Sequence, residues 1–296
     1  MSEPPIAYMD RTRAYYLALG YDTPYRWARF DDVPFTAPTK PLAEMTLAII
    51  TTAALFQPDK GDQGPGAAYN AAAKFYQVYE APLDPVPDLR ISHIAYDRDH
   101  TSAEDMATYF PHAAVSAAAA RGRIGAVCNV FFGLPTNRSQ RTSMDVDCPD
   151  LLERLRAHGV DAAVLVPNCP VCHQSVALAA RHLEAAGIMT VIMGCARDIV
   201  EEAGVPRFLF SDFPLGNSAG RPHDPVSQTV TLELALDLLE EAEAPRLTVT
   251  SPLAWTGDAQ WKDSYSNPDR LSAEEIAARK AAFDAAKSTA KKIRDT

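Results

Sequence analysis

Strand-like and helix-like segments alternate along the second half of the chain, and this alternation limits the possible folds more than any other feature. Short apolar runs rich in β-branched residues are each followed by a stretch with apolar residues at helical spacing. Strands separated by helices form βαβ units, which build a mainly parallel sheet. The predicted strands are 160–167, 189–193 and 207–210, and the predicted helices are 172–186, 196–203 and 225–243.

The first half follows the same alternation less regularly. The run Met45–Thr52 is apolar and ends in two hydroxyl residues, which is typical of a central parallel strand with polar groups at its carboxyl end. Further strands are predicted at 89–94 and 124–131, and helices at 110–120 and 144–158. We therefore predict an α/β protein with two doubly wound lobes of mainly parallel sheet, and the same pattern also permits one continuous sheet.

The two ends of the chain depart from this pattern. Residues 1–40 are rich in aromatic residues and proline, which predicts an arm that packs over a core or a neighbouring subunit, with a short helix near Tyr8–Leu19. An Ala/Lys/Glu-rich helix at 272–294 is expected on the surface or in an oligomer contact. The predicted organisation is an N-terminal aromatic arm (1–40), a first α/β lobe (41–150), a second α/β lobe (151–250) and a C-terminal extension with a helix (251–296).

Composition narrows the classes of function. A net charge of −10 and a pI near 5.2 argue against nucleic acid or an anionic membrane as a partner. The sequence shows neither an apolar run of membrane-spanning length nor a signal peptide, and an odd number of cysteines fits a reducing cytoplasm, where we expect the protein. Sequence motifs for binding nucleotide phosphates and for serine hydrolases are absent, so neither function has support.

The motif Cys169-Pro170-Val171-Cys172 points most directly to chemistry. It lies between a predicted strand and a predicted helix, so the free N–H groups and the dipole at the helix start favour a thiolate over a thiol. A lowered thiol pKa with a second thiol one turn away suits a redox or nucleophilic site. Zinc sites normally need a second such pair, and Cys128, Cys148 and Cys195 stand alone. We expect a reactive dithiol and no metal, with a buried structural pair as the alternative.

Polar residues follow several predicted strands at their carboxyl ends, where open α/β sheets bind ligands. His173 comes directly after the cysteine pair, and we predict that it acts as a general acid or base or stabilises the thiolate. A histidine on the helix surface without a role is the alternative. The predicted substrate-binding residues are Thr51, Thr52, His93, Asn168, Ser175 and Asn217.

The cysteine motif and the residues around it resemble the selenoprotein B subunit family of the glycine, sarcosine, betaine and D-proline reductases. The resemblance is strongest over Asp161–Asp237, which includes the segment Cys169–Ser175 and the turn Phe213–Asn217. A weaker likeness covers Pro41–Thr52 and Asp88–His93.

The family motif is selenocysteine-x-x-Cys-x-x-Cys at the start of this helix. The resemblance places Cys169 at the selenocysteine, Cys172 at the middle cysteine and Ser175 at the last one. It therefore implies that Cys169 is the nucleophile and Cys172 the resolving thiol. The family pairs this subunit with a separate subunit that carries a pyruvoyl group, and nothing in this sequence resembles that second subunit.

The leading hypothesis is a thiol-dependent reductase that cleaves a C–N or related C–heteroatom bond of a small molecule and ends as a Cys169–Cys172 disulfide. Thioredoxin or glutathione would restore the dithiol; we expect no other cofactor, and we expect a homo-oligomer. One alternative is a cofactor-free racemase or isomerase of the aspartate/glutamate racemase type, with Cys128 and Cys169 as opposed acid and base. Another is a non-catalytic thiol or metal-binding protein that uses Cys169, Cys172 and His173.

Overall fold

A mainly parallel sheet runs through the protein in the computed structural model, which describes residues 4–23, 25–136, 138–255 and 259–294, without the side chain of Arg294. The strands of the described ranges are numbered along the chain; eight belong to this main sheet, and two form a separate antiparallel pair. These strands are β1 (Thr46–Thr51), β2 (Ala54–Leu55), β3 (Tyr79–Pro82), β4 (Leu89–Arg90), β5 (Ala126–Val127), β6 (Val130–Gly133), β7 (Ala162–Val166), β8 (Met189–Gly194), β9 (Arg207–Phe210) and β10 (Leu247–Thr250).

The main sheet joins both halves of the chain. Its order is β10, β9, β8, β7, β1, β6 and β3, with β5 also paired to β1, and β3 is its antiparallel strand. The α/β class and the mainly parallel sheet are confirmed. Residues 47–51 of β1 pair with 162–166 of β7, so one continuous sheet forms where two lobes were predicted. The boundaries at 40, 150 and 250 stay a prediction.

Helices cover both faces of the sheet. Along β1, Leu47 and Ile49 pack on one face and Ala48 and Ile50 on the other, because successive side chains of a strand point to opposite sides. None of the helices in the described ranges has the length and apolarity needed to cross a membrane. The helices are α1 (Tyr8–Ala18), α2 (His112–Ala120), α3 (Gln140–Thr142), α4 (Cys148–Ala157), α5 (Pro170–Ala185), α6 (Arg197–Ala203), α7 (Pro225–Glu241), α8 (Gln260–Ser264) and α9 (Ala273–Arg294).

Two predicted strands differ from the structure. The run 124–131 is divided into β5 and β6, and Cys128 lies between them, with its N–H 2.9 Å from the carbonyl oxygen of Leu47 at the amino end of β1. The run 89–94 forms only β4, which pairs with β2 outside the main sheet, so His93 lies in a loop. Both errors share one cause: an apolar run shows that a segment is buried and not which strand it pairs with.

The two ends of the chain meet each other. After α1, the N-terminal arm runs along α5, where the N–H of Ala28 donates to Gln174 Oε1 at 2.7 Å. The hydroxyl of Tyr21 donates to Asp284 Oδ1 of α9 at 2.6 Å, and the rings of Tyr21 and Phe283 pack edge to face at 5.2 Å. The arm therefore packs over the core, and α9 packs on the arm.

A buried ion pair fastens the arm to the sheet. Glu184 Oε1 lies 2.8 Å from Arg207 Nη1, and both side chains are fully buried. The same carboxylate accepts the N–H of Thr36 in the arm at 2.6 Å and the hydroxyl of Thr190 at 2.8 Å. Arg207 in turn donates to the carbonyl oxygen of Thr36 at 2.7 Å. The carboxylate of Glu184 thus connects α5 to β8, β9 and the arm through hydrogen bonds and an ion pair.

Replacing Glu184 with glutamine should destabilise the protein by about 3–5 kcal/mol, because the Arg207 charge is left buried without a counter-ion. Urea unfolding followed by circular dichroism measures this loss. The matched control is Glu202→Gln. The carboxylate of Glu202 lies 3.0 Å from the guanidinium of Arg29, which is mostly exposed. Loss of this surface ion pair should lower the free energy of unfolding by at most about 1 kcal/mol. Equal losses for the two variants would contradict the structural role of the buried pair.

Candidate active site

The cysteines of the Cys169–Cys172 motif form a disulfide at the start of α5. Cys169 follows β7 in extended backbone and caps the helix, since its Sγ accepts the N–H of Cys172 at 3.2 Å. Pro170 occupies the first helical position, where a missing N–H costs no hydrogen bond. The turn from β7 into α5 therefore holds the two Cα atoms 4.9 Å apart and brings their sulfurs together.

A cavity of about 470 Å³ lies beside Cys169. Cys169 forms part of its wall and is 4% exposed, whereas Cys172 is fully buried and does not line it. Aromatic side chains supply much of the remaining wall, among them Tyr16 of α1 and Phe283 of α9. The disulfide thus presents one sulfur to the cavity and hides the other behind it.

Positive charge is concentrated around this cavity. Among the described residues, five basic side chains line it against two acidic ones, although the whole chain carries a net charge of −10. The amino end of the 16-residue helix α5 adds a partial positive charge at Cys169. The site therefore favours an anionic group of a ligand and, when the disulfide is reduced, a thiolate. The charged residues are Lys74, Arg98, Arg138, Arg279 and Lys287, with Asp97 and Asp99.

His93 lies beside both the cysteine pair and the cavity. Its Nε2 is 2.7 Å from the carbonyl oxygen of Thr52 and 3.5 Å from the hydroxyl of Thr136. That hydroxyl is also 3.4 Å from Cys172 Sγ. Burial, followed by the nearby Lys74 charge, lowers the pKa of His93 to about 3, so the ring is neutral at pH 7. One ring nitrogen of His93 lies within 4.8 Å of the sulfurs of both Cys169 and Cys172.

His173 points away from the cavity and is fully buried. Its Nδ1 lies 2.8 Å from the carbonyl oxygen of Cys169, and its Nε2 accepts the N–H groups of Cys195 and Ala196 at 2.9 and 3.1 Å. Burial lowers its pKa to about 4. Gly194 makes room for the ring, since a Cβ there would lie 2.9 Å from it. These backbone contacts fit a positioning role for His173, and its acid–base role stays a prediction.

The predicted residues at the ends of β1 and β7 hold the strands together. The hydroxyl of Thr52 accepts the N–H of Asn168 at 3.1 Å and its side-chain amide at 3.0 Å. The hydroxyl of Thr51 donates to the carbonyl oxygen of Tyr109 at 3.2 Å. None of these three predicted residues lines the cavity, and Thr52 acts on the site through its carbonyl contact with His93.

The last two residues predicted to bind substrate, Ser175 and Asn217, form hydrogen bonds to nearby backbone carbonyl oxygens. The hydroxyl of Ser175 donates to the carbonyl oxygen of Val171 at 3.1 Å, one turn earlier in α5. The side-chain amide of Asn217 donates to the carbonyl oxygen of Pro214 at 3.0 Å and shapes its own turn. Of the six residues predicted to bind substrate, His93 is the one that lines the described cavity.

Cys128 lies far from the cysteine pair. It is beside Leu47, and at about 3.3 Å per residue β1 puts roughly 13 Å between that position and Thr51 at the carboxyl end. Its side chain packs in the apolar cluster with Leu151 and Leu155, and burial raises the pKa of its thiol. The structure therefore gives no support to Cys128 and Cys169 as opposed acid and base.

Most residues of the cavity wall carry no signal in the sequence. Lys74, Arg98, Thr136 and Arg138 come from loops without a recognisable motif, and α9 was expected on the surface or in an oligomer contact. The aromatic content of residues 1–40 was the available signal, since tyrosines of α1 line the cavity. The loops and helices converge here only through folding.

Comparisons with known proteins agree on a reductase family. The sequence pattern of the glycine/sarcosine/betaine reductase selenoprotein B family matches residues 18–168. The match includes the weaker regions of resemblance around Thr51 and His93, and it ends one residue before Cys169.

Two relatives carry names of reductase subunits. The chain is 28% identical to the D-proline reductase subunit gamma of Acetoanaerobium sticklandii over 228 residues, which covers 74% of this chain and 91% of the relative. It is 24% identical to the glycine reductase complex component B subunit gamma of Symbiobacterium thermophilum over 230 residues, which covers 76% of this chain and about half of that relative (52%). No solved structure matches the chain. By its sequence, the chain belongs to the glycine/sarcosine/betaine reductase selenoprotein B family.

Proposed function

We propose that this chain is a thiol-dependent reductase that uses Cys169 and Cys172 to cleave a C–N or related C–heteroatom bond in a small molecule. The observation that carries the proposal is the bonded cysteine pair, in which Cys169 borders a cavity and Cys172 lies behind it. Membership of a reductase family supports the reaction class.

The proposed reaction has two steps. The Cys169 thiolate attacks the electrophilic carbon, a C–S bond forms, and the C–heteroatom bond breaks as the leaving group departs with a proton. The Cys172 thiolate then attacks Cys169 Sγ; the S–S bond forms, and the carbon keeps the electron pair of the broken C–S bond and takes a proton. The substrate gains two electrons, which the dithiol loses. A thioredoxin-like protein or glutathione supplies two electrons to restore the dithiol.

The cavity offers partners for both ends of such a substrate. Lys74 and Arg138 line the same cavity as the amino end of α5, and together these groups suit a carboxylate or another anion. Asp97 also lines the cavity, and its Oδ2 is buried without a hydrogen-bond partner in the described part of the chain, while Oδ1 pairs with His100 Nδ1 at 2.7 Å. Burial raises the pKa of Asp97 to about 6, which leaves it mostly ionised at pH 7. An amine of the substrate could donate to this oxygen.

Intact-mass spectrometry under non-reducing conditions tests the proposal. The reduced protein is exposed without oxygen to a panel of amines, quaternary amines, halides and thioethers that carry a carboxylate. With a substrate, we expect a mass lower by two hydrogen atoms, a disulfide mapped to Cys169 and Cys172, and one equivalent of reduced product. Oxidised protein is the control and should not react. A panel that oxidises the protein no faster than buffer, or a disulfide at other cysteines, would refute the proposal.

A further inference from the structure

A third residue beside the cysteine pair points to a metal site. In the described part of the chain, one ring nitrogen of His93 and the sulfurs of Cys169 and Cys172 all lie within 4.8 Å of one another, and all three side chains are buried. Two thiolates and an imidazole are a donor set that selects thiophilic ions such as Zn²⁺. We propose that the reduced site binds Zn²⁺ through Cys169, Cys172 and His93, and that the disulfide form does not bind it.

The arrangement needs little change to hold the ion. Tetrahedral zinc lies about 2.3 Å from sulfur and about 2.0 Å from nitrogen, so its ligand atoms stand roughly 3–4 Å apart. After reduction, small rotations of the two cysteine side chains reach this spacing without moving the helix backbone. Because Nε2 of His93 donates its proton to the Thr52 carbonyl oxygen at 2.7 Å, the lone pair that the ring offers to the ion is that of Nδ1.

Charge balance favours the ion in this buried place. Binding releases the two thiol protons, and the two resulting thiolates neutralise the charge of Zn²⁺, so the buried cluster carries no net charge. The disulfide has no protons to release and no thiolate to offer. Binding is therefore confined to the reduced form.

The surroundings leave one coordination position open. Cys169 and His93 both line the 470 Å³ cavity, so an ion can arrive there and a water molecule or ligand can complete the coordination. Three protein ligands with an open fourth position are the pattern of reactive zinc sites, whereas closed structural sites have four protein ligands. His173 is unsuited as a ligand because both of its ring nitrogens are held by backbone groups.

Metal titration of the full chain tests the proposal in the absence of any substrate. Protein is reduced, freed of reductant without oxygen, and titrated with Zn²⁺ against a chromogenic chelator and with Co²⁺ in a spectrophotometer. We expect one equivalent of either ion in the reduced protein, with a thiolate-to-cobalt charge-transfer band, and none in the oxidised protein. Equal uptake by the two forms, or none by the reduced form, would overturn the proposal whatever the fate of the reductase assignment.

Variants test the ligand set. His93→Ala should weaken Zn²⁺ binding by roughly 10–100-fold or more, since even the outer partners of metal ligands have effects of that size. His93→Gln, which keeps a donor for the Thr52 carbonyl, should do the same if the first variant folds poorly. His182→Ala is the matched control, because His182 lies on α5 outside the cavity wall and should leave affinity unchanged. If folded His93 variants bound Zn²⁺ with the affinity of the parent protein, His93 would not be a ligand of the ion.

Discussion

Replacing Cys172 with serine should trap the protein as a covalent adduct on Cys169 and reduce turnover by roughly 1,000-fold or more. Cys169 borders the cavity and can still capture the substrate carbon, but a serine hydroxyl cannot form the disulfide that releases it. Serine is also close to cysteine in size, so the buried position beside Thr136 should stay packed. The adduct is measured by intact mass and placed by peptide mapping under non-reducing conditions.

Cys128→Ala provides the matched control for this experiment. Cys128 lies near the amino end of β1, away from the cavity, so its loss should leave turnover close to that of the parent. The racemase alternative expects the reverse, because it needs Cys128 and has no use for Cys172. Loss of activity in Cys128→Ala together with full activity in Cys172→Ser would therefore refute the reductase proposal and support the racemase alternative.

Replacing Cys169 with serine should abolish both adduct formation and turnover. The remaining thiol at position 172 is fully buried and does not line the cavity, so it has no direct path to a bound electrophile. We expect the rate of turnover to fall by roughly 1,000-fold or more, with no modified cysteine after exposure to substrate. Labelling of the reduced variant with iodoacetamide, followed by peptide mapping, compares the reactivity of the two positions directly.

Cys195→Ala is the control for loss of a buried thiol near the site. Its sulfur lies 3.7 Å from the hydroxyl of Ser218, and burial raises the pKa of this thiol to about 12, so it should be unreactive. Turnover and labelling at Cys169 should therefore be unchanged. If Cys172 in the Cys169→Ser variant were labelled as fast as Cys169 in the parent, the roles assigned to the two sulfurs would be wrong.

The elements that could be predicted are those whose signal is local. The strands at 160–167, 189–193 and 207–210 and the helices around them lie within a few residues of their expected bounds. Asp224 caps α7 just before its first residue, because its side chain accepts the N–H of Ser227 at 3.0 Å. Periodicity and caps depend on neighbouring residues, which a single sequence contains.

The sequence by itself determined that the fold is α/β and that two cysteines open the helix after a buried strand. Folding alone decided that both halves share one sheet, that His93 rather than His173 faces the sulfurs, and that α1 and α9 enclose the cavity. The physical reason is the distance along the chain over which these contacts form. A run of apolar residues fixes which positions are buried, but the partner of each strand and loop is chosen by packing of the whole chain.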